Sequence, residues 1–263
     1  MVFAAAESMS ATNSALAGGA ALIASAFALS TADRWLKHRQ PHELVWTIAM
    51  VLFAIGSGAL WWAESAGWNL AVFRIFFLAG AVLNVAWLAL GTVYLLGGVA
   101  IGNKIRWWLV GLTGFATGIV AVAPTKQSII ATEFPTGKEV FGVAPRVLAA
   151  VGSGVPALVI IVGALWSAWR VMRRKTPALS STASRSVVSP WRLAVGNVLI
   201  ALGTLVLSAS GTLAGRLGKD QAFAVTLLVG VSVLFTGFLV ASNSTRVRST
   251  QRATQYLARA TSW

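Results

Sequence analysis

Seven long apolar runs, separated by short polar segments, dominate this chain of 263 residues. A run of roughly 20 apolar residues spans ~30 Å of hydrocarbon as a helix, and lipid offers the backbone no hydrogen-bond partners. Each run is therefore predicted to be a transmembrane helix. The predicted runs are Ser14–Ala32, Leu44–Ala63, Leu70–Leu96, Trp107–Ala123, Val147–Trp169, Leu193–Leu213 and Ala222–Ala241.

The composition supports this fold class. Hydrophobic residues make up 57% of the chain and charged residues only 11%, whereas a soluble domain averages about 25% charged residues. The chain has no cysteine, which excludes a disulfide framework and a thiolate metal site. The sequence predicts an all-α polytopic membrane protein, with one seven-helix domain over residues 1–241 and a basic cytoplasmic tail over residues 242–263.

The distribution of charge predicts the orientation of the bundle. With the N-terminus outside, the inner segments hold 15 of the 21 lysines and arginines, and the outer segments hold six. The positive-inside rule then predicts an N-out, C-in orientation. The net charge of +14 is thus explained by topology and by attraction to anionic inner-leaflet lipid, not by a nucleic-acid partner. Abundant arginine, alanine, glycine and valine indicate a bacterial protein, and hence the cytoplasmic membrane.

A stripe of polar, aromatic and small residues follows the third predicted helix. Asn84, Trp87 and Tyr94 recur with Gly80 and Gly91 at spacings of three and four residues, which places them on one helix face. Such a face either packs closely against another helix, with Asn84 in an interhelical hydrogen bond, or contacts a ligand.

The sixth predicted helix repeats this pattern with Asn197 and Thr204. Small and polar residues on two helices predict inward faces that meet in the bundle. The candidate ligand-binding residues are Asn84, Trp87, Tyr94, Asn197 and Thr204.

Three residues outside the stripe also carry predictions. Arg74 lies one turn into its helix, and Glu64 ends the preceding helix, so the two are expected to form an ion pair at the outer mouth. The alternative for Arg74 is a gate or an anion contact. Pro156 lies inside the fifth predicted helix and is expected to kink it, because proline lacks a backbone donor.

The longest predicted outer loop, residues 124–145, reads PTKQSIIATEFPTGKEVFGVAP. Its PTGK stretch separates two segments rich in β-branched and aromatic residues, which predicts a β-hairpin between helices 4 and 5. The hairpin could lid the outer mouth of the bundle. An ordered loop with no ligand role is the alternative.

Several functions are disfavoured by the residues of the predicted helices. The seventh helix has no lysine for a retinal Schiff base, and Gln40–Pro41 reverses the Pro-Gln pair of PQ-loop sugar transporters. No predicted span has an acid at its middle, where coupled carriers place one. His38 and His42 are four residues apart, but the intervening proline breaks the helix. Neither a metal nor a cofactor is predicted.

Two stretches, FRIFFLAGAVLNVAWLALGTVYLL and FPTGKEVFGVAPRVLAA, resemble those of a family of multi-spanning bacterial membrane proteins that has no assigned activity. The resemblance implies a seven-helix membrane bundle and brings no cofactor or functional residue with it.

The leading expectation is a non-enzymatic membrane protein that binds an apolar or amphipathic ligand, or a partner membrane protein. No catalytic motif is recognisable in the chain. A facilitative transporter or channel for a small solute is the alternative, and an intramembrane lipid-modifying enzyme is the third. A water-filled cavity lined by the candidate residues would favour transport, whereas a tightly packed core would favour binding.

Overall fold

The first two helices form a hairpin with a very short turn. The structure, a computed structural model, describes residues 2–173, 190–213 and 219–243, and the predicted tail from residue 244 onward lies outside these ranges. Helix α1 spans Val2–His38 and helix α2 spans Pro41–Ala66. Arg39 has φ 52, and its N–H donates a 2.7 Å hydrogen bond to the Trp35 carbonyl, which ends α1. Proline suits the first turn of α2 because its missing N–H would lack a helical partner there.

The next helical segment changes its hydrogen-bond pattern along its length. It begins as α3, Leu70–Phe76, widens into a π-helix over Phe77–Leu83, and continues as α4, Asn84–Val122. Asn69 caps the start of α3 by accepting from the Val72 N–H at 3.0 Å. A π-helix inserts one extra residue per turn and is frequent at functional sites.

This segment folds back on itself at Gly98. The backbone of Gly98 has φ 81 and ψ 176, which favours glycine over any residue with a Cβ. The reversal brings Trp87 Nε1 to 3.2 Å from Thr113 Oγ1 across 26 residues, a distance that straight helix would extend to ~39 Å. The Arg74 guanidinium likewise donates to the Ala123 carbonyl at 2.8 Å.

The predicted outer β-hairpin does not form. Residues 124–142 contain no strand, and only one antiparallel bridge joins Thr125 and Phe141. A short helix, α5, spans Gly137–Val140 instead. Thr136 Oγ1 accepts from the Glu139 N–H, and the Glu139 carboxylate accepts from the Thr136 N–H. This capping box satisfies the backbone locally, so PTGK starts a helix and not a hairpin turn.

Three helices complete the described chain: α6, Val143–Arg173; α7, Pro190–Leu213; and α8, Lys219–Asn243. Within these described ranges, five segments are long and apolar enough to cross a membrane: Ala11–His38, Pro41–Ala66, Leu70–Val122, Val143–Arg170 and Ala222–Val240. A shorter apolar stretch, Ala194–Ser208, lies in α7. Two of the predicted runs fall within the single folded-back segment that begins at Leu70.

The helices pack in a closed order, α1–α2–α4–α6–α7–α8, and α8 returns to contact α1. Glycines allow the closest approaches. A methyl group added at Gly152 of α6 would come within 2.7 Å of the Val82 carbonyl oxygen, and one at Gly56 of α2 would come within 3.2 Å of Gly80. The backbones of α2 and α6 therefore both pack closely against the π-helix. Small residues at crossings are typical of helix packing in membranes.

Two ends of the bundle are distinguished below. The end at which α1 finishes and α2 begins is called the His38 face, and the end at which α2 finishes and α3 begins is called the Ala66 face. The Arg74–Ala123 hydrogen bond brings the end of α4 to the Ala66 face. Helix α6 follows α4 along the chain and so begins at the Ala66 face. It therefore ends at the His38 face.

A cluster of aromatic rings fills the core at the Ala66 face. Trp68 contacts Phe73, Phe76 and Phe134 with ring centroids 5.3–6.1 Å apart, and Phe141 lies 5.3 Å from Phe73. Phe134 and Phe141 come from the loop after α4, and all five rings are buried. Phe134 and Phe141 therefore anchor the loop in the core without forming the predicted hairpin, and the lid role stays a prediction.

Candidate functional site

A buried ion pair joins the first two helices at the His38 face. Arg34 Nη2, in the last turns of α1, donates to Glu43 Oε1, in the first turn of α2, at 2.5 Å. The exposed fractions are 21% for the Arg34 side chain and 5% for that of Glu43. The positive and negative side chains complement the dipoles of the helix ends at which they lie. Burial of two charges still needs further partners, because their desolvation is costly.

Aromatic rings enclose this pair. The Arg34 guanidinium carbon lies 4.6 Å from the centroid of Phe238 on α8, and Phe238 in turn contacts Trp46 edge to face at 5.2 Å. His42 contacts the same Trp46 ring at 5.2 Å. These five residues, Arg34, His42, Glu43, Trp46 and Phe238, are called the inner cluster.

The inner cluster also connects to the folded-back segment. Trp46 Nε1 donates to the Leu88 carbonyl of α4 at 3.3 Å. The Trp46 ring occupies the space that a side chain at Gly91 would fill. Only glycine therefore leaves room for the Trp46 ring at position 91. The inner cluster makes contacts among α1, α2, α4 and α8.

One acceptor of the inner cluster has no protein partner. Glu43 Oε2 is buried and forms no hydrogen bond, while Oε1 is shared between Arg34 and His42 Nε2, the latter 3.6 Å away. A buried carboxylate oxygen without a donor is costly unless a bound water or ligand group satisfies it. Ionisable groups at membrane depth mark functional sites by default. The inner cluster is therefore a candidate site.

Sequence reasoning missed this cluster because its members lie on either side of a turn that looked like an ordinary loop. The available signal was a base in the last turns of one apolar helix and an acid in the first turn of the next, with a tryptophan following. The spacing of His38 and His42 predicts no metal site, and the sequence gives His42 no other role. His38 Nδ1 instead lies 3.1 Å from the Arg34 carbonyl.

Two of the predicted ligand-binding residues contact the second half of α4. Trp87 donates to Thr113 Oγ1, and Tyr94 Oη donates to Asn103 Oδ1 at 2.8 Å. The Tyr94 ring also occupies the space beside Gly102. Both hydrogen bonds close the reversal at Gly98, which gives each side chain a structural role.

The two candidates on α7 also have protein partners. Asn197 Nδ2 donates to Ser167 Oγ of α6 at 2.9 Å, and the buried Thr204 hydroxyl donates to the Ile200 carbonyl one turn earlier. Asn197 therefore makes the kind of interhelical bond expected of a small polar residue in a membrane bundle. The structure does not bring these residues together with Tyr94 in one cluster of mutual contacts.

Asn84 differs from the other candidates. Its side chain is buried, which excludes lipid contact, yet Oδ1 has no hydrogen-bond partner. Asn84 directly follows the π-helix, and its N–H donates to the Ala79 carbonyl five residues earlier. The hydroxyls of Thr117 and Thr204 do not donate to it, because they donate to the carbonyls of Thr113 and Ile200.

Arg74 caps a helix. Its Nη2 donates to the Ala123 carbonyl at the end of α4, where the helix dipole is negative, while Nε is buried without a partner. Capping explains why an arginine opens an apolar helix. The pair with Glu64 stays a prediction.

Pro156 lies inside α6, four residues after Gly152. Its missing N–H frees the Gly152 carbonyl from the helical ladder. Gly152 is also the point at which α6 approaches the π-helix, so two irregular stretches of helix meet at one crossing. The functional role of the expected kink stays a prediction.

Comparison of the chain with protein-family models, with curated proteins and with solved structures finds no match. The class that the fold defines is that of an integral membrane protein, because the helices are long and apolar enough to cross a bilayer. Anything more particular must be inferred from the side chains and their contacts.

Proposed function

We propose that the chain crosses a bacterial cytoplasmic membrane seven times, with its N-terminus outside and its C-terminus in the cytoplasm. The reversal at Gly98 supports two crossings within the Leu70–Val122 segment, and α7, with 24 residues, is long enough for another. The excess of basic residues on the segments of the His38 face supports the orientation.

We propose further that the protein is not an enzyme and that it acts by binding a transmembrane helix of a partner membrane protein. The observation that carries this proposal is a row of three glycines, Gly111, Gly114 and Gly118, on the second half of α4. All three are exposed, and nothing lies within 4 Å of the position that a Cβ would occupy.

The glycine row points away from the bundle. The buried residues of the same half-helix are Gly102, Leu109, Ala116 and Val120, and helical periodicity places them on the side opposite the glycines. Exposed Trp107 and Phe115 flank the row. Glycine in a helix costs about 1 kcal/mol relative to alanine, and a lipid-facing surface gains nothing from it. Close approach of another helix backbone is what such a row permits.

Satisfied polar groups inside the bundle favour this binding role over transport. Trp87, Tyr94 and Asn197 are bonded to other side chains, and Thr204 to its own helix. These groups stabilise packing and leave few free donors and acceptors to line a solute pathway.

A photo-crosslinking amino acid at Leu112 or Thr117, in intact cells, tests the proposal. We expect a cross-linked protein band that disappears when Gly114→Ile is added, whether the partner is another membrane protein or a second copy. Gly154→Ile is the matched control, because Gly154 of α6 is exposed with equally open space. Cross-links to lipid alone, or a band insensitive to Gly114→Ile, would refute helix docking.

A specific observation favours facilitative transport as the second candidate. Among the residues that the structure describes, four buried polar atoms have no protein partner: Asn13 Oδ1, Glu43 Oε2, Arg74 Nε and Asn84 Oδ1. They lie near both ends of the bundle and near the middle of the third predicted helix. Internal water could satisfy them. Asn84 directly follows the π-helix, a kind of helix that is frequent at functional sites.

Flux assays separate the two candidates. Transport predicts that proteoliposomes containing the full chain take up glycerol or urea faster than empty liposomes, and that Asn84→Leu slows the uptake. Uptake equal to that of empty liposomes would leave the binding role as the better proposal.

A further inference from the structure

Three arginines at the His38 face lie over tryptophan rings. The guanidinium carbon of Arg173 is 4.2 Å from the centroid of the Trp169 ring, that of Arg39 is 4.9 Å from Trp35, and that of Arg106 is 5.4 Å from Trp107. The three pairs are called the Arg–Trp pairs. They lie at the ends of α1 and α6 and near the start of the second half of α4.

In each Arg–Trp pair, the two residues are close together in the sequence. Trp169 and Arg173 are four residues apart in the last turns of α6, a spacing that places one helical side chain above the other, and Arg39 directly follows α1, four residues after Trp35. The left-handed conformation of Arg39 ends α1 and directs the chain back toward Trp35. Arg106 and Trp107 are adjacent, so their contact uses the length of the arginine side chain.

The three guanidiniums carry charge that the described residues do not neutralise. None of them forms an ion pair with an acid of the described chain. The two acids of the His38 face, Asp33 and Glu43, are already paired with Lys37 and Arg34. The described basic residues of this face are Arg34, Lys37, Arg39, Lys104, Arg106, Arg170, Arg173 and Arg192.

We propose that the Arg–Trp pairs bind the phosphodiester headgroups of anionic phospholipids in the leaflet at the His38 face. Tryptophan prefers the membrane–water interface, and Trp107 and Trp169 are 68% and 48% exposed. A ring at that depth holds the guanidinium over its face by a cation–π contact. The N–H edge of the guanidinium stays available to a phosphate, which arginine binds in a bidentate manner.

Charge and depth together select lipid as the partner. Net positive charge at the interface attracts anionic lipid over zwitterionic lipid, and the rings keep the arginines within reach of headgroups. The Ala66 face provides the contrast: its described basic residues include Lys126, Lys138 and Arg146, and no Arg–Trp pair is found there among the described residues.

Native mass spectrometry of the purified full chain tests the proposal, with phosphatidylglycerol and phosphatidylcholine titrated into separate samples. We expect phosphatidylglycerol to bind more tightly than phosphatidylcholine. Arg39→Gln, Arg106→Gln and Arg173→Gln should each weaken phosphatidylglycerol binding by roughly fivefold, the effect of one basic residue near an anionic surface. Phosphatidylcholine binding should not change.

The three arginine substitutions are also combined in one variant, called the arginine triple variant. Its matched control is the triple variant Lys126→Gln, Lys138→Gln and Arg146→Gln, which removes the same charge from the Ala66 face. It should retain wild-type phosphatidylglycerol binding. Trp35→Leu and Trp169→Leu keep the charge but remove the rings, and they should weaken binding as well. Equal losses in the control and in the arginine triple variant would reduce the effect to diffuse net charge and overturn the proposal, as would unchanged binding in the arginine variants. The helix-docking test at Gly114 is independent of this outcome.

Discussion

The Arg34–Glu43 pair gives a sharp test of how the inner cluster stabilises the bundle. The two side chains are unequally buried, with 21% of Arg34 and 5% of Glu43 exposed. Loss of one partner therefore has different consequences. Arg34→Met leaves a carboxylate enclosed without its cation, whereas Glu43→Gln leaves a guanidinium that still contacts Phe238 and can reach water.

The structure gives magnitudes for the two variants. Removing one member of a buried ion pair costs about 3–5 kcal/mol when the remaining charge is uncompensated, so Arg34→Met should lose this much free energy of unfolding. Glu43→Gln should lose about 1.5–3 kcal/mol, the contribution of a hydrogen bond to a charged group. The double variant Arg34→Met, Glu43→Leu removes both charges and should recover to within about 1 kcal/mol of wild type.

Equilibrium unfolding of the purified full chain in mixed micelles measures these three free energies. Recovery in the double variant is the decisive result, because no explanation based on lost packing predicts it. A double variant as unstable as Arg34→Met alone would refute the reasoning, and so would a Glu43→Gln variant less stable than Arg34→Met.

Three further predictions concern the helix end, the midplane and the topology. Arg74→Gln should lower the free energy of unfolding by about 1–2 kcal/mol through loss of the charged cap on α4, and Arg74→Lys should lose less; an unchanged melting temperature for Arg74→Gln would contradict the capping role. Asn84→Leu should be neutral or stabilising by up to about 1 kcal/mol, because it removes an unpaired buried acceptor, and a marked loss in micelle unfolding would instead reveal a bound partner. A single cysteine at Thr136 should react with an impermeant thiol reagent in intact cells, and one at Ser181, which lies outside the described residues, should not; the reverse pattern would overturn the N-out orientation.

Apolar length was the most reliable signal in the sequence. Each predicted run lies in a helix, because lipid-length stretches with few charges have no other way to satisfy their backbone. The helices extend beyond the predicted ends of several runs. Helix α1 continues through Arg34 and Lys37 to His38, since long basic side chains reach water from a helix end without ending the helix.

Helical periodicity indicated the buried face of the third predicted helix, since Asn84, Trp87, Gly91 and Tyr94 are all buried, but it did not indicate their partners. The predicted stripe assumed 3.6 residues per turn from Gly80 to Tyr94, but the π-helix ends at Leu83 and shifts the register of everything before Asn84. Chain reversal at Gly98 supplied partners that periodicity cannot foresee. Trp87 and Tyr94 therefore contact the second half of α4, while Gly91 contacts Trp46.

The loop between α4 and α6 shows a competition between two signals in the same residues. The PTGK stretch matches a turn, but Thr136 and Glu139 also match the Thr-x-x-Glu pattern of a capping box. The capping box forms, because it satisfies two backbone donors within four residues, whereas a hairpin needs partners along two strands. The buried rings of Phe134 and Phe141 hold this loop against the core, and the lid role stays a prediction.

The placement of the inner cluster explains how a bundle of interchangeable apolar helices can close in one order. Dispersion contacts between apolar helices discriminate little among partners, because lipid tails offer similar contacts. Arg34 instead makes a specific contact with each of its two neighbouring helices. It pairs with Glu43 on α2 and lies over the Phe238 ring on α8. These contacts join α8, the last described helix, to α1. The hydrogen bond from Trp46 to the Leu88 carbonyl joins α2 to α4. A buried polar contact of this kind adds specificity even where it adds little net stability, which is why the double variant should fold and yet pack α8 less uniquely against α1.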